Sequence, residues 1–377
     1  MAGTTRRGSV IVLAVLAAAC PFPARAAEAR RTTVSIVGDA FHVNGKPTYP
    51  GRSFRGMKVE GLLLNSRMVQ GIFDDRNPQT RKNWDYPGGP WDPERNTREF
   101  VAAMPAWREA GLLGFTINLQ GGSPRGYSRL DEQVWHNSAI EADGGLRPDA
   151  VARLTRILDR ADELGMVPIL GVFYFGQGKR LSDEAACVRA VDETVDWLAS
   201  RGYANVVVEI ANECNNEGYH DVFKPPRAHE LIERVKQRSA GKMNSPAKRL
   251  LVSTSFTGGV VPTDNVIAAC DFVLLHGNGV GKPDGIRAMV KKVRDAGSYH
   301  AQPVLFNEDD HFDFDKPDNN MVAAIGAYAG WGYFDYRMKG EGFEQGFQSV
   351  PVDWSISSER KRGFFTLLKE VTGGETR

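Results

Sequence analysis

The sequence predicts an α/β protein, a single (β/α)8 barrel preceded by a short β-hairpin. Three observations predict it. Seven apolar runs of strand length recur along the chain as nearly continuous hydrophobics, the pattern of strands buried on both faces. Between them lie stretches with apolar residues at i, i+3, i+4 and i+7, which read as helices covering a sheet. No Ser/Gly linker, low-complexity block or long charge run divides the chain, so residues 27–377 are expected to form one barrel domain. A doubly wound open sheet is the competing architecture. It would carry a Gly-rich phosphate loop after its first strand, and neither GxGxxG nor GxxxxGK[ST] occurs.

Taken in order, residues 1–26 read as a secretory signal peptide. Arg6 and Arg7 precede an apolar run from Val10 to Cys20, followed by Pro21, Pro23 and the small-x-small triplet Ala24, Arg25, Ala26. The run is about half the ~20 apolar residues of a spanning helix, so no stable membrane span is expected. Cleavage near Ala26 and export from a bacterium follow, to the periplasm or beyond. Ala17 to Cys20 loosely matches a lipid-attachment box with its Leu one position early, at Leu16, which makes a lipid anchor at Cys20 the lesser alternative.

Residues 33–49 read as a hairpin: TVSIV, a turn at Gly38 and Asp39, AFHV, then Asn44-Gly45, a pair that favours a type I′ turn. The first barrel strand falls between Gly56 and Asp75, either as one strand or as a helical turn followed by a strand at MVQGIF. The seven clear runs are 112–119, 166–175, 205–211, 249–255, 271–276, 303–307 and 331–336. Helical stripes at Val151, Leu154, Leu158 and Ala161, at Val188, Val191, Val195 and Leu198, and at Ile286, Met289, Val290 and Val293 lie between them. A helix near 360–371 closes the series, and a barrel of about 250 residues leaves room for long loops.

The 377 residues carry 47 Lys and Arg against 46 Asp and Glu, a formal charge of +1 that offers no basic surface for phosphates. Nucleic acid is not an expected partner, and a monomer is. Without the leader three cysteines remain, Cys187, Cys214 and Cys270, an odd number with no CxxC and no disulfide framework.

In a barrel the chemistry sits at the carboxyl ends of the strands. Strand four ends in Asn212-Glu213 and strand seven in Asn307-Glu308, so both carboxylates rise toward one rim. Two carboxyl groups are what glycoside hydrolysis needs, one to protonate the departing oxygen and one to attack the anomeric carbon or activate water. A lone Glu at a strand end is ordinarily a solvated or ion-paired rim residue, and a third Asn-Glu pair, Asn216-Glu217, follows the first. The placement of the pair, not the dipeptide, carries the argument.

VVVEIANE and PVLFNE resemble the corresponding segments of the clan A retaining glycoside hydrolases, whose family 5 cellulases and mannanases are the best-known members. DFVLLH resembles the strand-six segment of that clan, and Trp331 falls where it often has a sugar-flooring Trp. The resemblance implies Glu213 as acid/base, Glu308 as nucleophile, and Asn212 as a ligand for the 2-hydroxyl, with His276 and Trp331 at the substrate. Two departures point to a distant family of the clan. Asn278 stands where many members have a Tyr that bonds the nucleophile, and Asn118 and Gln120 end strand two where many carry an Arg. Arg67 is the candidate for the missing cation.

Tyr174, at the end of strand three, and Trp84, Trp91 and Trp135, in the loops 74–92 and 120–145, complete the expected substrate contacts with Asn118 and Gln120. Aromatic faces suit the apolar faces of pyranose rings. The alternative for each ring is packing of its loop onto the barrel.

No cofactor is expected. A divalent-metal sugar isomerase or epimerase is the second reading, because residues 308–318, EDDHFDFDKPD, are dense in oxygen ligands that Glu213, His276 and His311 extend. The scattered histidines form no HxH or HExxH, so no metal site is assigned. A non-catalytic carbohydrate-binding barrel is the third reading.

Overall fold

The computed structural model describes residues 30–374, so the expected leader, with Cys20 and Ala26, lies outside the described residues. Among the described residues eight barrel strands alternate with eight helices. They run β1 Asn65–Arg67, α1 Pro93–Glu109, β2 Gly114–Asn118, α2 Pro148–Leu164, β3 Val167–Tyr174, α3 Glu184–Arg201, β4 Val207–Asn212 and α4 Ala228–Ser239. The second half runs β5 Leu251–Ser253, α5 Asp264–Ala269, β6 Val273–His276, α6 Pro283–Asp295, β7 Val304–Glu308, α7 Asn320–Gly326, β8 Gly332–Tyr333 and α8 Glu359–Thr372.

Strands β8, β1, β2, β3, β4 and β5 form one parallel ladder, with Gly332 opposite Asn65, Thr116 opposite Ile169, and Val208 opposite Val252. Strands β6 and β7 form a second. Parallel bridges from Leu305 to Gly330 and from Asp309 to Tyr333 join β7 to β8. At the remaining seam, Asp271 N–H donates to the Val252 carbonyl and the Asp271 carboxylate accepts Val252 N–H, each at 2.9 Å. The circle therefore closes, partly through a side chain.

Helix ends follow local rules. Asp183 caps α3 by accepting Ala186 N–H at 2.8 Å, and Gly202 ends it in the left-handed conformation at φ 69°.

The first strand is shorter than either sequence reading, and MVQGIF is not a strand. Asn65 and Arg67 turn inward and are polar, so the strand has no apolar periodicity to display; its position is set by its neighbours β2 and β8. The hairpin is present as Val34–Val37 against Ala40–Val43, and Lys46–Pro47 adds a third short strand. Asn44 and Gly45 both have positive φ, 52° and 77°, as the type I′ turn requires.

The hairpin has a structural job. Val34 and Phe41 pack into the inner apolar layer formed by Leu63, Val167, Ile169, Val207, Leu251, Leu274 and Leu305, and Phe41 meets Phe272 edge-on at 5.7 Å. This layer fills the amino-terminal half of the barrel and the hairpin closes that end. The carboxyl half is lined instead by Asn65, Arg67, Thr116, Asn118, Glu209, Ser253, His276 and Asn307, all buried. Polar side chains buried in such number need partners or water. Gly171 leaves space for Asn118, whose amide would collide with any Cβ there.

Candidate active site

Glu213 follows β4 directly and holds an unusual backbone, with φ at 55° in the left-handed region. A residue with a Cβ pays roughly 1–2 kcal/mol there. Two contacts from the end of β5 hold it: Glu213 N–H donates to Ser255 Oγ at 3.0 Å, and Cys214 N–H donates to the Ser255 carbonyl at 2.9 Å. Asn216 Nδ2 donates to Glu213 Oε2 at 3.3 Å. The chain thus leaves the barrel sharply while the carboxyl turns inward.

Glu308 ends β7, where the ladder to β6 shifts register between Leu275 and His276 and sets His276 opposite Glu308. Arg67 Nη1 lies 2.9 Å from Glu308 Oε2, as a charge contact without the alignment of a hydrogen bond. Asn278 Nδ2 donates to Glu308 Oε1 at 2.5 Å. His276 Nδ1 lies 3.3 Å from Glu213 Oε1 and 3.7 Å from Glu308 Oε2, so one imidazole bridges both carboxylates. One atom each from Glu213, His276 and Glu308 lies within 4.8 Å of the other two.

Burial acts to raise the Glu213 pKa, but the His276 hydrogen bond and charge, then Arg67 and Asn216, outweigh it and leave the carboxyl below its usual range. Burial acts to lower His276, yet Glu308, Glu213 and Glu209 raise it above an ordinary imidazole. The two shifts oppose each other in sign, as an acid and a base that share a hydrogen bond require.

Of the expected substrate residues, Arg67, His276, Asn212, Tyr174 and Asn118 gather here. Tyr174 is buried at the end of β3 within the electrostatic reach of Arg67, Glu213 and Glu308. Asn212 Oδ1 and both amide atoms of Asn118 are buried without partners, which leaves them open to a ligand or water. Gln120 is committed to the scaffold: its Oε1 accepts Tyr174 N–H at 3.2 Å and its Nε2 donates to Ser138 Oγ at 3.3 Å.

The four tryptophans do not gather here. Trp331 faces outward, packing on Phe314 and on Phe364 of α8 and donating from Nε1 to Asp309 at 2.9 Å. Side chains alternate along β8, so Trp331 and Tyr333 share the helix side while Gly332 and Phe334 share the inner side. Phe334, buried 5.8 Å from the Arg67 guanidinium, is the ring that strand eight offers the site. Trp84, Trp91 and Trp135 form a buried loop cluster around Phe73, with Trp84 Nε1 donating to Asp75 at 2.7 Å. They pack the long loops and present no face to a sugar.

Phe334 carried no role in the sequence reading, and Tyr127 and Asp310 entered it only as members of the aromatic loop 120–145 and of the oxygen-rich segment 308–318. Tyr127 is half-exposed at the mouth, donates to Asp310 Oδ2 at 2.9 Å, and accepts from Asn278 Nδ2 at 2.8 Å. The two inner positions of strand eight were readable from alternation; the Tyr127 loop carried no periodic signal.

Among the described residues two clusters offer ligand-type atoms for a cation. In the first, Glu213, His276 and Glu308, the Arg67 guanidinium already supplies a fixed positive charge to Glu308. In the second, Asp309 accepts from His311, Trp331 and Asn320, and Asp310 accepts from Tyr127, so protein donors occupy those oxygens. A cavity of about 560 Å³ beside Phe314, Lys316, Glu359 and Arg362 lies on the flank of α8, away from this chemistry.

No protein-family model and no curated protein sequence matches the chain. Solved structures do. A GH5-4 broad specificity endoglucanase from Bacteroides salanitronis aligns over 82% of this chain and 93% of its own, with TM-score 0.54 and 11% identity. A glycoside hydrolase family 5 structure from Bacteroides vulgatus aligns over 89% and 70%, with TM-score 0.54 and 12% identity. A further Bacteroides vulgatus chain, provisionally named a glycoside hydrolase, aligns over 88% of this chain at 15% identity and TM-score 0.53; the alignment spans 59% of that chain. What the chain shares with these three proteins is the (β/α)8 barrel fold.

Proposed function

We propose that this protein is an exported glycoside hydrolase that cleaves β-glycosidic bonds of an oligo- or polysaccharide with retention of configuration. The observation that carries the reading is the Glu213–His276–Glu308 cluster, with reactive atoms within 4.8 Å of one another at the carboxyl end of the barrel. Retaining enzymes set their carboxyl groups ~5–5.5 Å apart, whereas inverting ones need ~6.5–9.5 Å to admit a water. Carboxylate oxygens that approach this closely fit the retaining spacing better than the inverting one, and the glycoside hydrolases that share the barrel support the reaction class.

In this reading Glu308 attacks the anomeric carbon as Glu213 protonates the departing glycosidic oxygen. A covalent glycosyl ester on Glu308 and a free alcohol result. Glu213, now ionised, takes a proton from water, whose oxygen displaces Glu308. Arg67 and Asn278 contact the two oxygens of the attacking carboxylate and keep it aimed. His276 holds a proton 3.3 Å from Glu213 Oε1, and transfer along that contact arms the acid once substrate has displaced water. The buried, unpartnered Asn212 Oδ1 is placed to accept a sugar hydroxyl.

The test is to screen the mature protein against aryl β-glycosides and β-glycans, then incubate it with an activated 2-deoxy-2-fluoro glycoside. A mass increase of one fluoroglycosyl unit on the peptide holding Glu308 is expected. Labelling elsewhere, or inverted product from a cleaved glycoside, would refute the retaining assignment. Glu213→Gln and Glu308→Gln should each lower turnover by orders of magnitude.

A further inference from the structure

The barrel interior holds a third carboxylate that this chemistry does not use. Glu209 lies on β4, four residues before Glu213, fully buried. Ser255 Oγ donates to its Oε1 at 2.5 Å and Asn307 Nδ2 donates to its Oε2 at 3.1 Å. Strands β4 and β7 are not neighbours, so the Asn307 contact crosses the inside of the barrel. The same Ser255 hydroxyl accepts Glu213 N–H, and its single proton is given to Glu209. Asn307 is the residue before Glu308. One buried carboxylate thus reaches the backbones of both candidate catalytic residues, each through one intermediary.

Donors from Ser255 and Asn307 meet its two oxygens, the arrangement that suits an ionised acceptor. Arg67 from β1, His276 from β6 and Glu308 from β7 face it, with Cys214 and Tyr219 from the segment after β4. Burial raises its pKa, and His276, Arg67 and Ser255 pull against that without reversing it. Such a group is expensive to bury unless paired and bonded, and an apolar side chain would fill the same space more cheaply. What the apolar side chain lacks is the ability to orient Ser255 and Asn307 and to sustain the charge on His276.

We propose that ionised Glu209 is the positioning residue of the site: through Ser255 it holds Glu213 in its left-handed backbone, and through Asn307 it fixes the strand end that carries Glu308. The inference rests on the reading of Glu213 and Glu308 as the catalytic pair.

Glu209→Gln, Glu209→Asp and Ser255→Ala test it, each first checked for a cooperative thermal transition. The His276 titration is followed by NMR in the free protein, a readout that needs no turnover. Glu209→Gln should lower the His276 midpoint by roughly one pH unit, as loss of one nearby negative charge requires. In the active enzyme it should lower kcat about 10²-fold with little change in KM, the loss that small misplacements bring. Glu209→Asp keeps the charge but falls short of its partners, so the His276 midpoint should hold while kcat falls. Ser255→Ala should lower kcat as Glu209→Gln does, and the double variant should fall no further. An unmoved His276 midpoint in Glu209→Gln, an unchanged kcat, or additive losses in the double variant would overturn the inference. A midpoint moved by Glu209→Gln, together with a wild-type protein that cleaves no glycoside, would support the buried charge and refute the glycosidase reading instead.

Discussion

Arg67 Nη1 stands 2.9 Å from Glu308 Oε2, with 2% and 6% of the two side chains exposed. Buried ion pairs contribute little net stability when intact, but removing one partner strands the other's charge at a cost of about 3–5 kcal/mol. Arg67→Met should therefore lower stability by that order, and kcat/KM by at least roughly 10²-fold, because Glu308 would lose the cation that pairs with it and aims it. Denaturant unfolding and steady-state kinetics on an aryl glycoside check both. An Arg67→Met enzyme of near wild-type activity would show that Asn278 alone prepares the nucleophile.

The Glu213–His276 pair fixes a pH window for stability. Glu213 is lowered in the folded protein, so its contribution is complete above the ordinary carboxylate value of 4.5 and is lost as pH falls through its folded pKa. His276 is raised, so its contribution is complete below the ordinary imidazole value of 6.5 and is lost as pH rises through its folded pKa. Both are complete between 4.5 and 6.5. Melting temperature measured against pH should fall outside that window, and His276→Asn should flatten the alkaline fall. An alkaline fall of equal size in the variant would assign it to other groups.

Phe41→Ala separates folding from chemistry. Phe41 is 1% exposed and closes the barrel end opposite the site, so the substitution should destabilise the fold by about 3–5 kcal/mol, the usual cost of emptying an aromatic core position. The kcat of the folded fraction should not change. A large drop in kcat below the melting transition would mean that the plug shapes the site.

If Arg67 supplies the positive charge at Glu308, a chelator should leave activity intact. Dialysis against EDTA followed by assay decides this. Loss of activity restored by one divalent ion would favour the metal-dependent isomerase reading of the Glu213, His276 and Glu308 cluster.

Trp331→Phe should leave KM for a glycoside near wild type and lower thermal stability, because the indole packs on α8 and bonds Asp309. Phe334→Ala should do the reverse at the site and raise KM, since that ring lies against Arg67. The opposite pattern in the two variants would restore Trp331 to the substrate.

The parts of the fold that sequence displayed were those whose apolar residues repeat. The runs from 112 to 307 became β2 to β7, with every end within two residues of its run. β1 stayed hidden because the side chains it sends into the barrel, Asn65 and Arg67, are the polar lining of the site. The same logic governs the site itself. Glu213 and Glu308 were legible because each ends a run, and Arg67, His276 and Asn212 joined them. The loop tryptophans were misassigned because ring chemistry alone does not say whether a ring faces a sugar or another ring. Glu209 was the readable signal that went unused: a charged residue inside VVVEIA has a reason to be there, and here Ser255 and Asn307 are its partners.

The plug formed by Val34 and Phe41 closes the amino-terminal end of the barrel, which leaves the carboxyl end, beside Tyr127, as the opening toward the site. In the proposed reaction, traffic through that opening has to be sequential. The alcohol released by the first step and the water consumed by the second use one doorway, so the departing group must clear before hydrolysis can proceed. A second sugar arriving in place of water would meet the same glycosyl ester, so what passes the carboxyl rim bears on the balance between hydrolysis and sugar transfer.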